Sequence, residues 1–126
     1  MSASPETRRF PRIVPMLPVR HLPRAIPFYR ALGFQVLQER EDWGWAQLVL
    51  GDSQIMLDQS IFHATQRPSS SVLYLYPEDI NAFHAEARRQ GLTIPDLETT
   101  FYGMREFRIE DPDGNRLWIG QPQASA

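Results

Sequence analysis

This chain repeats itself, and a repeat of this size leaves few architectures open. At a constant separation of 58 residues, Leu17 meets Leu75, Leu22 meets Ile80, Arg30 meets Arg88, Gly33 meets Gly91 and Val36 meets Ile94. Further along the separation grows to 62, so that residues 51–57 align with 113–119. A slip of four (62 − 58) implies a longer loop in the second copy. With 126 residues the chain has the length of a single domain. It therefore reads as one domain over 1–126, with module one at about 12–60 and module two at about 71–121.

Each copy reads as a strand, a helix and three strands. Residues 13–19 are rich in β-formers and alternate loosely. Residues 22–32 carry Leu22, Ile26, Tyr29 and Leu32 at roughly helical spacing, with Gly33 as the stop. Pro27 falls inside that span, where it removes a backbone hydrogen bond. Strands follow at 34–40, 45–50 and 54–58, with Gly51 and Asp52 as a tight turn. Residues 61–71, polar and holding Pro68 and three serines, read as a connecting loop. Module two repeats the order: a strand at 72–76, a helix at 77–90 and strands at 93–97, 105–110 and 116–120. Pro77 suits the first turn of that helix, and Glu78 and Asp79 suit the positive end of its dipole. Ile80, Phe83, His84 and Ala87 make its buried stripe, and residues 121–126 read as a frayed tail. The expected fold class is α+β, with two βαβββ modules forming a cupped mixed sheet.

Composition narrows the function. Apolar residues at 42% and aromatics at 11% suffice for a core. No apolar run approaches the ~20 residues of a membrane span. Residues 1–12 have no apolar segment behind their charges, so no signal peptide is expected. Without cysteine there is no disulfide framework, thiol nucleophile or zinc–thiolate site, which fits a cytoplasmic protein. A net charge of −2 without a basic run argues against nucleic acid as the main partner. His21, His63 and His84 lie too far apart in sequence to share a helix or strand face as a metal pair, and no serine stands in a nucleophile elbow.

The paired modules, with Phe28-Tyr29-Arg30-Ala31-Leu32-Gly33-Phe34 in the first and Asp111-Pro112-Asp113-Gly114-Asn115 in the second, resemble the vicinal-oxygen-chelate superfamily. That superfamily holds glyoxalase I, extradiol dioxygenases, fosfomycin-resistance enzymes and bleomycin-resistance proteins. The resemblance spans about residues 12–121, and its two motifs specify fold far more than function. In the metalloenzyme members, ligands come from the first and fourth strands of each module. The resemblance puts those positions at Val14, Met56, Val72 and Trp118, and none supplies the N or O donor that a hard or borderline divalent ion needs. A shift of one residue does not help, because Ile55, Leu57, Leu117 and Ile119 flank Met56 and Trp118. No metal, no cofactor and no catalytic residue is expected.

Within the superfamily the chain is most similar to the metal-free bleomycin-resistance proteins. The likeness lies in Leu17-Pro18-Val19-Arg20-His21 ahead of Phe28-Tyr29, and in Tyr102-Gly103-Met104-Arg105-Glu106-Phe107 ahead of Asp111. Three differences stand out: His21 replaces the usual Asp, Tyr102 replaces the usual Trp, and Met104 reads as one inserted residue. The resemblance implies a homodimer, domain-swapped or side by side, that sequesters the drug without chemistry in two grooves between its protomers.

Strand alternation sorts the residues that would line such a groove. The candidate ligand-binding residues are Trp45, Gln47, Met56, Asp58, Tyr74, Tyr102, Glu106, Arg108 and Trp118. Trp43 adds stacking surface. Glu39, Glu41, Asp42, Asp58, Glu98 and Glu106 are the carboxylates available to a cationic drug tail. The expected partners are a small, possibly bleomycin-like ligand and a second copy of the chain, with no nucleic acid and no membrane. The competing readings are a glyoxalase- or dioxygenase-like enzyme acting on a small oxygenated substrate, and a small-molecule sensor domain.

Overall fold

A computed structural model describes residues 11–123 of the chain. Two four-stranded mixed sheets carry helices on one face. Module one holds β1 (Met16–Pro18), α1 (Leu22–Ala31), β2 (Gln35–Arg40), β3 (Trp45–Leu50) and β4 (Ser53–Asp58). A short helix, α2 (Gln59–Thr65), leads to module two: β5 (Val72–Leu75), α3 (Ile80–Arg89), β6 (Glu98–Thr99), β7 (Met104–Glu110) and β8 (Arg116–Pro122). The strand orders, β1-β4-β3-β2 and β5-β8-β7-β6, are the same order twice.

The strand register bears out the repeat residue by residue. Met16 faces Met56 and Leu17 faces Leu57 in the first parallel pair. Adding 58 to one strand and 62 to the other gives Tyr74–Trp118 and Leu75–Ile119, the pairs found in the second. The slip divides between two places. Gln47, opposite Met56, corresponds to Arg108, opposite Trp118, a separation of 61. Three of the extra residues therefore precede β7, and one lies in the turn before β8.

The face under the helices is the expected aliphatic one. Leu17, Leu48, Leu57, Phe107, Leu117 and Ile119 are buried and join residues of α1 and α3 in one core cluster spanning both modules. Truncating one such leucine costs about 2–5 kcal/mol. His84 sits at the edge of this core, with Nε2 2.7 Å from the Pro95 carbonyl and its ring edge-on to Phe107.

Several local expectations are corrected. Residues 59–65 form α2 rather than a loop, because the Asp58 carboxylate accepts the Ile61 N–H at 3.0 Å and Phe62 is buried. Helix α3 starts at Ile80, not Pro77: Asp79 is its N-cap, accepting from Ala82 N, and Gln121 Oε1 accepts from Ile80 N. Gln121 thus belongs to β8, not to a frayed tail; residues 124–126 of that tail, like residues 1–10, lie outside the described residues. No strand forms at 93–97. Pro95 interrupts it, and the carbonyls of Ile94 and Pro95 serve Arg88 and His84 instead, so β6 is a two-residue strand at Glu98–Thr99. Helix α1 runs through Pro27, which removes the N–H that would reach the Pro23 carbonyl. His21 makes no side-chain cap bond, and Gln59 Oε1 accepts from Leu22 N at 2.8 Å in its stead.

The two sequence motifs meet in space. Asp111 accepts the Tyr29 hydroxyl at 2.7 Å, together with the backbone N–H groups of Asp113 and Asn115 and the Asn115 side-chain amide. Asn115 also donates to the Pro18 carbonyl and accepts from Ser69 N, while Asp113 accepts from Arg20 N. The turn that starts β8 is therefore a staple holding both modules and the segment between them. Gly114 (φ +90°) makes this turn possible.

Candidate functional site

Away from the helices, each sheet presents a second face, and the candidate residues divide between the two sheets. On β5, β8 and β7, Tyr74, Trp118 and Arg108 stand side by side as register partners. One step along lie Glu106 and Gly120, also paired, with Tyr102 reaching over from the loop before β7.

Glu106 is the centre of this group. Its side chain has no exposure, and a buried carboxylate is stable only when paired and hydrogen-bonded. It accepts from Arg108 Nε at 3.0 Å, from the Tyr102 hydroxyl at 2.6 Å and from the Tyr74 hydroxyl. Burial pushes the carboxyl up, but the bonds from Tyr102, Tyr74 and Arg108 together outweigh it and hold Glu106 below the usual range. Burial, followed by the bond to Glu106, pushes the Tyr74 phenol well above its ordinary value, so it is a donor at neutral pH. Arg108 donates a second bond to the Tyr102 hydroxyl at 2.8 Å, and its guanidinium lies 3.6 Å from the centre of the Trp118 ring. Tyr76, 67% exposed, stacks on Tyr74 at 4.8 Å.

Gly120 is a residue that sequence reasoning missed. A Cβ there would stand 2.9 Å from the Tyr74 hydroxyl and 3.1 Å from Glu106 Cβ. Its missing side chain is the space through which Tyr74 reaches Glu106. No motif signals this, because the need appears only when β5, β7 and β8 are assembled.

The first sheet carries a less charged set. Trp45, Gln47, Gln54 and Met56 are all half-buried on one face. Gln47 Nε2 donates to Gln54 Oε1 at 2.7 Å, and Trp43 tilts toward Trp45 at 6.3 Å with Arg40 over its ring. Asp58 lies on the same strand, but its carboxylate caps α2 through Ile61 N and the Ser60 hydroxyl. Among the described residues, no hydrogen bond or ring contact joins Trp45, Gln47, Met56 and Asp58 to Tyr74, Tyr102, Glu106, Arg108 and Trp118. The chain thus gathers the candidate residues into two clusters rather than one. The other expected carboxylates stand apart: Glu39, Glu41 and Glu98 are exposed, and Asp42 is engaged by Arg40.

Both clusters are only partly covered. The hollow on the second sheet has a volume of about 200 Å³, bounded by Arg108, Ile109, Glu110, Arg116 and Trp118. A wider cleft of about 1220 Å³ runs between residues 11–15 and α3, with Phe34, Leu50, Ile55, Leu73 and Phe83 among its walls, and it reaches Gln54, Tyr74 and Tyr76.

Of the four positions where the resemblance puts metal ligands, Val72 faces Arg116, Met56 faces Gln47, and Trp118 lies beneath Arg108. Val14 is half-buried just before β1. Two valines and an indole offer no lone pair to an ion, and a single thioether suits only soft metals. This donor set does not fit a divalent ion bound through N and O.

A family model described as "Glyoxalase/Bleomycin resistance protein/Dioxygenase superfamily" matches residues 9–119. No curated protein sequence matches the chain. Among solved structures, it is similar to a bleomycin-binding protein complexed with bleomycin, at 22% identity and a TM-score of 0.72, covering 90% of this chain and 100% of the other. A bleomycin resistance determinant encoded on the transposon Tn5 gives the same identity and TM-score, covering 91% and 100%. TnmS3, an antibiotic binding protein from Streptomyces sp. CB03234, is 27% identical with a TM-score of 0.71, covering 89% and 97%.

Proposed function

The chain belongs to the glyoxalase/bleomycin resistance protein/dioxygenase superfamily, and from that premise we propose that it is a cytoplasmic single-domain binding protein. It sequesters a drug or similar amphipathic small molecule, uses no metal, and works as a homodimer whose grooves each join the first-sheet half-site of one protomer to the second-sheet half-site of its partner.

The observation that carries this reading is the pair of open, aromatic half-sites in which Gln47 and Glu106 are already hydrogen-bonded. Trp45 and Met56 on one sheet, and Tyr74, Tyr102 and Trp118 on the other, supply stacking and apolar surface. Gln47 is held by Gln54, and Glu106 by three donors, so the faces are ordered before any ligand arrives. Each face alone leaves a flat ligand half exposed, whereas small-molecule sites bury about 70–90% of the ligand surface. A second protomer supplies the missing wall. No helix among the described residues is long and apolar enough to cross a membrane.

The test is a titration of intrinsic tryptophan fluorescence with bleomycin, with and without EDTA, corrected for inner-filter absorbance, alongside light scattering for mass. Saturation near one drug per protomer of a dimer, unchanged by EDTA, is the expected result. A monomer at working concentration, or binding that depends on a near-stoichiometric divalent ion, overturns the proposal. Failure to bind bleomycin while binding another flat ligand removes the drug and keeps the groove.

A further inference from the structure

The ligand-binding reading above says nothing of the ligand's charge, and this inference, which rests on it, does. A cationic ligand needs free carboxylate oxygens in the groove. On the second sheet Glu106 offers none: it has no exposure, and its oxygens already accept from Tyr74, Tyr102 and Arg108. On the first sheet the Asp58 carboxylate is engaged by the Ile61 N–H and the Ser60 hydroxyl.

The donors are placed the other way. Arg108 uses Nε on Glu106 and one terminal nitrogen on Tyr102, yet its side chain remains 45% exposed, lying on the Trp118 ring. Arg116 lies two residues before Trp118 on the same face of β8; it is exposed and bonds the Ser70 carbonyl through one nitrogen. Both arginines border the hollow of about 200 Å³. Glu110, the register partner of Arg116, also borders it but forms no ion pair with either arginine among the described residues. The hollow therefore sets two guanidinium groups against one carboxylate. A guanidinium presents planar paired N–H donors that match a carboxylate, and its face stacks on aromatic rings.

We propose that the second-sheet half-site takes a planar aromatic carboxylate. The ring lies against the Arg108–Trp118 stack, and the carboxylate accepts from guanidinium nitrogens of Arg108 and Arg116 left free by Glu106, Tyr102 and Ser70. A cation of the same shape finds only Glu110 to set against the two guanidinium groups there.

The experiment is calorimetry at neutral pH and low salt with three probes of one shape: 2-naphthoate, neutral 2-naphthalenemethanol and cationic 2-naphthylmethylammonium. The expected order is 2-naphthoate about tenfold tighter than the alcohol, with the cation weakest, and a preference that shrinks as salt screens it. Arg108→Gln should abolish the preference. Because that change also strips Glu106 of a donor and can unfold the chain, Arg116→Gln, at an exposed position, is the second variant. It should weaken 2-naphthoate about threefold and leave the alcohol unchanged. Equal affinities for the three probes, or tightest binding by the cation, overturn the charge preference and leave the ligand-binding reading intact. If none of the three binds, the inference also falls, and the bleomycin titration decides the parent reading separately.

Discussion

Replacing Tyr29 with phenylalanine isolates the bond between the two sequence motifs. The ring is fully buried and packs edge-on against Phe28 and Phe34, at 5.2 and 5.4 Å, so Tyr29→Phe leaves no cavity. Only the 2.7 Å bond to Asp111 Oδ2 disappears. That oxygen keeps the Asn115 amide at 2.8 Å, and the other keeps two backbone N–H groups, so the carboxylate is weakened rather than stranded. A hydrogen bond to a charged group contributes roughly 1.5–3 kcal/mol, and the remaining donors place the expected loss near the lower figure, about 1.5–2 kcal/mol. In urea, with a slope of about 1–3 kcal/mol per molar, the midpoint should fall by ~1 M at unchanged slope. Burial and the neighbouring Asp111 charge push the phenol well above its ordinary range. The bond's contribution is thus fully present below the ordinary tyrosine value of about 10 and is lost only as pH rises beyond it. A loss smaller than about 0.5 kcal/mol, or a changed slope, would refute the view that this bond holds the modules together.

Three further outcomes follow from the same geometry. Gly120→Ala should cost about 1–3 kcal/mol through overpacking and shift the emission of Trp118, since the new methyl displaces the Tyr74 hydroxyl; an unchanged spectrum and melting temperature would contradict it. Glu106 is held below the ordinary carboxylate range, so its ionised form adds stability that is present at neutral pH and lost as pH falls through and below that range. Glu106→Gln should therefore flatten the acid side of the stability profile, and a profile parallel to that of the parent would count against it. Asp58→Ala removes the cap of α2 and should cost about 1 kcal/mol, read by denaturation, with bleomycin affinity nearly unchanged; a large affinity loss would return Asp58 to the ligand.

The repeat made the fold legible because both modules keep one register: the Met16–Met56 pair, carried forward by 58 on one strand and 62 on the other, becomes the Tyr74–Trp118 pair. Alternation sorted the two faces for the same reason. What escaped was whatever depends on a side-chain partner that strand alternation does not reveal. Asp58 looked like a groove carboxylate because a strand-end residue and an N-cap are the same residue until α2 is recognised. Residues 93–97 looked like a strand, yet their carbonyls were claimed by His84 and Arg88 from α3. Glu106 and Arg108 were legible as residues of the sheet face turned away from the helices, but their mutual saturation through Tyr74 and Tyr102 was not, and Gly120 carried no local signal at all. The division of the candidate residues between two sheets was equally hidden, because alternation assigns a face and not how strands group into sheets.

The staple at Asp111–Asn115 also bears on the order of events during folding. Its bonds to module one span 82 residues between Tyr29 and Asp111, 93 between Arg20 and Asp113, and 97 between Pro18 and Asn115. The β3–β4 and β7–β8 hairpins close far shorter loops, so they can form while the modules are still apart. The staple is then expected to close late, after the rate-limiting barrier. Weakening it should leave the refolding rate almost untouched and appear instead as faster unfolding, making this turn the latch that sets how long the folded chain lasts.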